Sequence, residues 1–92
     1  MIQVTYDPQK NQTNIEKHGL SFEIVKILEW DKAIVFRDER RDYGELRYVA
    51  YLCLEKRLYF VCYTRTTTFI RVISFRKANK REVRNYEQAT NR

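Results

Sequence analysis

The sequence predicts an α+β domain: an antiparallel β-sheet packed by two N-terminal helices and a C-terminal helix. Three observations predict it. Helix-start signals at Asp7-Pro8 and at Ser21 precede the long apolar runs. Three such runs then follow one another between Tyr48 and Phe75 with short turns between them, the pattern of an antiparallel meander. Finally Asn79, with Glu82 three residues on, forms a capping box that opens a last helix. At 92 residues the chain is a single domain, 1–92, with one core.

The elements follow in order. Ile2 to Tyr6 alternates weakly and reads as a short strand. Asp7 is a helix cap and Pro8 suits the first helical position, where its missing N–H costs nothing. This helix is polar and ends at His18, because Gly19 accepts a left-handed conformation. Ile15 is its one clear apolar residue, with Asn11, Asn14 and His18 at helical spacing. Ser21 caps a second predicted helix, with Phe22, Ile24, Val25, Ile27 and Leu28 as its apolar face. Ala33 to Phe36 reads as a strand, and Arg37 to Glu45 as a charged surface loop. Strands are expected over Tyr48–Leu54, Leu58–Thr64 and Phe69–Phe75, and Val83 and Tyr86 form the inward stripe of the last helix. The order is β-α-α-β-β-β-β-α.

Composition excludes several classes. With 43% hydrophobic and 14% aromatic residues and few Gly or Pro, the chain is neither disordered nor collagen-like. No apolar run reaches the roughly 20 residues that span a bilayer, and no secretory signal opens the sequence, so a cytoplasmic protein without membrane contact is expected. Cys53 and Cys62 read as small reduced core residues. With one His and no CxxC, no metal site and no cofactor are expected. Net charge is +6 but unevenly divided: residues 1–46 sum to −2 and residues 47–92 to +8. The basic half carries eight Arg to three Lys, and Arg is the residue of bidentate phosphate recognition. One positive face is therefore expected, suited to nucleic acid or an acidic partner.

The basic residues concentrate around the last strand. Arg71 lies mid-strand among apolar neighbours, and alternation puts it with Ile73 and Phe75 while Ser74 and Arg76 face the other way. Arg65 sits at the tip of the preceding hairpin, so Arg65, Arg71 and Arg76 are expected to converge on one site; pairing with acids such as Glu82 or Glu87 is the structural alternative. His18 is the only side chain whose ordinary pKa lies near neutrality, and it serves either proton transfer or the helix dipole. Tyr86 either stacks on a base or anchors the last helix. No catalytic triad, Gly-rich phosphate loop or carboxylate pair is present. Arginine stabilisation of a pentavalent phosphate with one titrating group suits RNA cleavage, where the 2′-OH of the substrate itself attacks. The residues alone leave three readings open: a metal-independent endoribonuclease, a non-catalytic nucleic-acid-binding module, or a basic module that docks an acidic protein.

Tyr6-Asp7-Pro8 with Lys10, the segment Asn14-Ile15-Glu16-Lys17-His18-Gly19-Leu20-Ser21-Phe22 and the segment Arg71-Val72-Ile73-Ser74-Phe75-Arg76-Lys77-Ala78, with Glu82, Arg84, Tyr86 and Glu87, together resemble the BrnT toxins of bacterial type II toxin–antitoxin pairs. The resemblance implies a RelE-like fold and a ribonuclease that blocks translation. It also implies a BrnA-like antitoxin with a ribbon-helix-helix domain, through which alone the pair contacts operator DNA. On this reading Arg65, Arg71 and Arg76 surround the scissile phosphate, His18 transfers a proton, and Lys17, Lys77, Arg81 and Tyr86 guide the RNA.

Overall fold

The computed structural model describes residues 3–90. Strand β1 (Gln3–Thr5) leads into helix α1 (Pro8–His18); Ile2, expected in the first strand, lies outside the described residues. The Asp7 carboxylate accepts from the Gln9 N–H at 2.8 Å, Pro8 opens the helix, and Gly19 closes it at φ 72°.

Ser21 also caps as expected, accepting from the Glu23 N–H at 3.1 Å, but the element it opens is a six-residue 3₁₀ segment, Phe22–Ile27. The fold therefore has one N-terminal helix, not two. The cause is spacing: Phe22, Val25 and Leu28 recur every third residue and are all buried, while Ile27 is left 64% exposed. So short a stretch also gains too little to offset the first turn of an α-helix.

A single 3₁₀ turn, Trp30–Lys32, precedes strands β2 (Ile34–Arg37), β3 (Tyr48–Leu54), β4 (Arg57–Arg65) and β5 (Phe69–Lys77), and helix α2 (Lys80–Thr90) ends the fold. The five strands lie in the order β1-β5-β4-β3-β2. Strands β2 to β5 are antiparallel, as expected, but β1 pairs parallel to β5, so the sheet is mixed. No hairpin joins β1 to β5, and only a hairpin would have dictated an antiparallel pairing. Between β3 and β4, Glu55 (φ 50°) and Lys56 (φ 68°) form a two-residue turn with both residues in the left-handed region, the geometry that follows the twist of a hairpin.

The main core lies on one face of the sheet. Phe22 and Val25 pack with Leu52, Val61, Val72 and Phe75, all fully buried, and each contributes roughly 1.5–3 kcal/mol. The opposite face carries a smaller cluster of Val49, Phe60 and Cys62 with Tyr51 and Ile73 against it. Cys53 and Cys62 form no disulfide.

Strand β5 departs from simple alternation. Tyr63 stands opposite Val72 and Cys62 opposite Ser74, which leaves Ile73 as an extra, bulged residue. The bulge changes the expected facing: Arg71, with its partner Thr64, joins Ser74 and Arg76 on the face of the Val49–Phe60–Cys62 cluster, and Phe75 stays in the main core.

Helix α1 is fastened to β5 by Asn14. Strand β1 covers β5 only as far as Arg71, so the backbone of Phe75 further along has no strand partner on that edge. The buried Asn14 amide supplies it: its Oδ1 accepts from the Phe75 N–H at 3.1 Å, and its Nδ2 donates to Phe75 O at 2.8 Å and Leu20 O at 3.0 Å.

Candidate active site

Because Asn14 ties α1 to Phe75, the residue one turn further along the same helix face, His18, lies beside the end of β5. Burial is the main influence on the half-buried imidazole, and the charges of Lys17 and Arg76 act in the same sense; together they lower its pKa. This shift favours the neutral imidazole, the form that accepts a proton. The first turn of α2 completes this corner, bringing Arg81 next to Glu82.

Arg76 is held on three sides. Its guanidinium carbon stands 3.9 Å from the centroid of the Phe60 ring beneath it. Its Nη1 donates to Glu82 Oε1 at 2.8 Å and its Nη2 to Glu82 Oε2 at 3.1 Å, and Nη1 also reaches Lys77 O at 3.2 Å. Glu82 in turn accepts from the Tyr51 hydroxyl at 2.7 Å and from the Asn79 N–H at 2.8 Å, while its own N–H donates to Asn79 Oδ1. Burial alone would raise the Glu82 pKa, but the Arg76, Tyr51 and Asn79 donors outweigh it and hold the group at about 2. The same environment, burial first and then the bond to Glu82, pushes Tyr51 up to about 12. Arg76 is thus oriented and 28% exposed, and its Nε–H and one Nη2 hydrogen are the donors left for an anion.

The loop between β2 and β3 continues the polar face. Buried Asp38 takes a bidentate contact from Arg40 at 2.6 and 2.7 Å and a hydrogen bond from Tyr43 at 3.0 Å; the Arg40 bonds, outweighing burial, hold its carboxyl well below the usual carboxylate range. Arg40 also lies 5.6 Å from the Phe60 centroid, and Arg47 stacks 4.2 Å from that of Tyr43. Glu45 receives Arg47 at 3.0 Å and Arg71 at 3.3 Å.

The structure separates the three arginines expected to converge. Arg65 pairs with Ile70 at the hairpin tip, as the turn implied, but its guanidinium lies 5.2 Å from the Tyr48 ring on the helix-covered face. Arg71 faces the other way and is paired with Glu45. Arg76 stands five residues further along β5, roughly 15 Å away by strand rise, and is paired with Glu82, the acid named as its structural alternative. Of the expected site residues, Arg76 lies near enough to His18 for its charge to act on the imidazole, Lys17 and Lys77 are the chain neighbours of these two, and Arg81 lies in the first turn of α2. Tyr86 serves as an anchor: its hydroxyl donates to Lys32 O at 3.2 Å beneath α2.

Tyr51, Phe60, Arg40 and Arg47 are not singled out by the sequence. Alternation does place Tyr51 and Phe60 on the face of Cys62, which is a usable signal once the strands are known. Nothing in the charged loop marks Asp38, Arg40 and Tyr43 as a folded unit. Among the described residues no three His, Cys, Asp or Glu side chains are grouped so as to hold a metal ion, and no helix is long and apolar enough to cross a membrane.

Compared with known families, the chain matches over residues 6–82 the model described as the ribonuclease toxin, BrnT, of type II toxin–antitoxin systems. No curated protein matches it.

Proposed function

From the premise that this chain belongs to the BrnT family of ribonuclease toxins of type II toxin–antitoxin systems, we propose that it is a metal-independent, RelE-like endoribonuclease that cuts RNA by attack of a 2′-OH on the adjacent phosphate and so inhibits translation in the cytoplasm. The observation that supports this reading is the oriented, partly exposed Arg76, whose charge acts on the imidazole of His18. His18 takes the proton of the attacking 2′-OH, and Arg76 stabilises the pentavalent phosphate. The new bond from O2′ to phosphorus and the loss of the bond to the 5′-oxygen leave a 2′,3′-cyclic phosphate and, once that oxygen is protonated, a 5′-hydroxyl. Lys17, Lys77 and Arg81 steer the strand into the corner, and Tyr86 contributes by holding α2. Arg71, at the far end of β5 on the face of Arg76, holds a flanking nucleotide, whereas Arg65, at the end of β4 on the other face, does not reach the same strand. Glu82 occupies the Arg76 fork in the resting protein, so an incoming phosphate must share or displace it.

The partner on this reading is a BrnA-like antitoxin with a ribbon-helix-helix domain, and operator DNA is contacted only through it. The test is incubation of purified protein with RNA in EDTA between pH 5 and 9. Wild type cleaves; Arg76→Ala and His18→Ala, folded, lose cleavage. RNA left intact by the wild type across that range defeats the proposal.

A second reading is favoured by one observation: Arg71 and Arg76 are both already ion-paired. A non-catalytic module that binds RNA or docks the antitoxin would show affinity falling steeply with salt and no product.

A further inference from the structure

Helix α2 is lightly anchored. None of its residues is buried, and it is joined to the rest by the Glu82 cluster and by Tyr86. Between α2 and the β3–β4 hairpin lies an open groove of about 630 Å³. Its floor is apolar, formed by Leu58, Val83 and Cys53 with the Tyr86 ring. Its rim is cationic: Lys56 and Arg57 come from the hairpin, Lys80 and Arg84 from α2, and Glu87 is the single carboxylate lining it.

These four cations differ from those of the neighbouring face. Arg40, Arg47, Arg71 and Arg76 are each matched by Asp38, Glu45 or Glu82, whereas among the described residues Lys56, Arg57, Lys80 and Arg84 enter no ion pair. Unmatched cations around an apolar floor fit a ligand that brings acidic groups and apolar side chains together. A nucleic acid strand brings the charge but has no aliphatic groups for Leu58 and Val83. A helix with Leu, Ile or Val at i, i+3, i+4 spacing and Asp or Glu on its flanks brings both.

The geometry points to this groove as the docking site for an acidic amphipathic helix of the antitoxin, set apart from the His18–Arg76 corner. The inference rests on the toxin–antitoxin reading of the chain, and the electrostatic match with a protein of charge +6 supplies the sign of the partner segment.

The test uses the chain co-expressed with its own antitoxin, then separated and re-mixed. Binding is measured by calorimetry for wild type, for Arg57→Glu/Arg84→Glu, and for Val83→Asp, with circular dichroism to verify folding; Arg84→Ala is the milder control. The double charge reversal is expected to weaken antitoxin binding by about 100-fold or more, with wild-type affinity falling as salt rises. RNA cleavage by the free double variant should stay within about twofold of wild type. Binding of the antitoxin within about twofold of wild type by both groove variants overturns the inference. So does loss of RNA binding with antitoxin binding intact, which would assign the groove to RNA. Groove-dependent antitoxin binding by a wild-type chain that cuts no RNA would uphold the groove and defeat the enzymatic proposal instead.

Discussion

Asn14→Ala is the substitution that tests how α1 is held on the sheet. Asn14 is 6% exposed and makes three hydrogen bonds: it accepts from the Phe75 N–H and donates to Phe75 O and Leu20 O. Truncation to Ala leaves three backbone groups without those partners in a largely dry site. A buried polar group left unsatisfied costs about 1–3 kcal/mol. Allowing water to reach one of the three, the loss is about 3–5 kcal/mol, a large part of the stability of a domain this size. At about 4–8 °C per kcal/mol, the thermal midpoint should fall by roughly 12–40 °C. Asn14→Asp should be no better near neutral pH, since it keeps the acceptor for Phe75 N–H but sets a carboxylate oxygen against two carbonyls. Urea unfolding followed by circular dichroism measures the free energy, and hydrogen exchange at Phe75 reports the local opening. A loss below about 0.5 kcal/mol, with Phe75 N–H still protected, would refute the claim that this amide substitutes for a missing strand.

Three further outcomes follow from other contacts. Glu82 titrates at about 2 when folded, below its ordinary value, so its contribution is complete above the usual carboxylate range and drains away as pH falls toward 2; at about 1.4 kcal/mol per pH unit this amounts to about 3 kcal/mol. Glu82→Gln should therefore be destabilised near neutrality and lose less than wild type between pH 5 and 2, and parallel acid-unfolding curves for the two would count against it. His18 is the only histidine, so NMR gives a single imidazole titration: its midpoint should lie below 6.5 and move up in Arg76→Gln, because removing a nearby cation makes the imidazolium easier to form. A midpoint at or above 6.5 in wild type contradicts the described corner. Lys56→Gly should stabilise by about 0.5–1 kcal/mol in urea unfolding, since Gly occupies the left-handed region at φ 68° without the Cβ penalty; a destabilised variant would mean the turn is held by the Lys56 side chain.

Local chemistry was legible wherever it was sufficient by itself. Asp7-Pro8, Gly19, Ser21 and the Asn79–Glu82 box all act where they stand in the sequence, because caps depend on neighbours within three residues. The hairpins were legible for the same reason. The second helix was misjudged because Phe22, Val25 and Leu28 fit both a three-residue turn and an α-helical face, and only burial decides between them. The parallel pairing of β1 is a contact across some 65 residues of chain, which no local signal carries. The site was half legible. His18 and Arg76 were named, but their meeting depends on Asn14 clasping Phe75, and the convergence of Arg65 and Arg71 failed because each followed its own strand face. Composition could count eleven bases against three acids in the second half, yet Glu45, which engages both Arg47 and Arg71, is folded in from the first-half loop.

The extra residue in β5 makes the length of that strand as informative as its letters. Among related sequences, loss of one position between Val72 and Ser74 would restore strict alternation and leave both ends facing as they do, with Arg71 and Arg76 on one face but four residues apart instead of five. A gap there should therefore need no swap of polar and apolar letters, whereas a gap elsewhere in the strand would, so that homologues can be sorted by the spacing of these two positions before their arginines are compared.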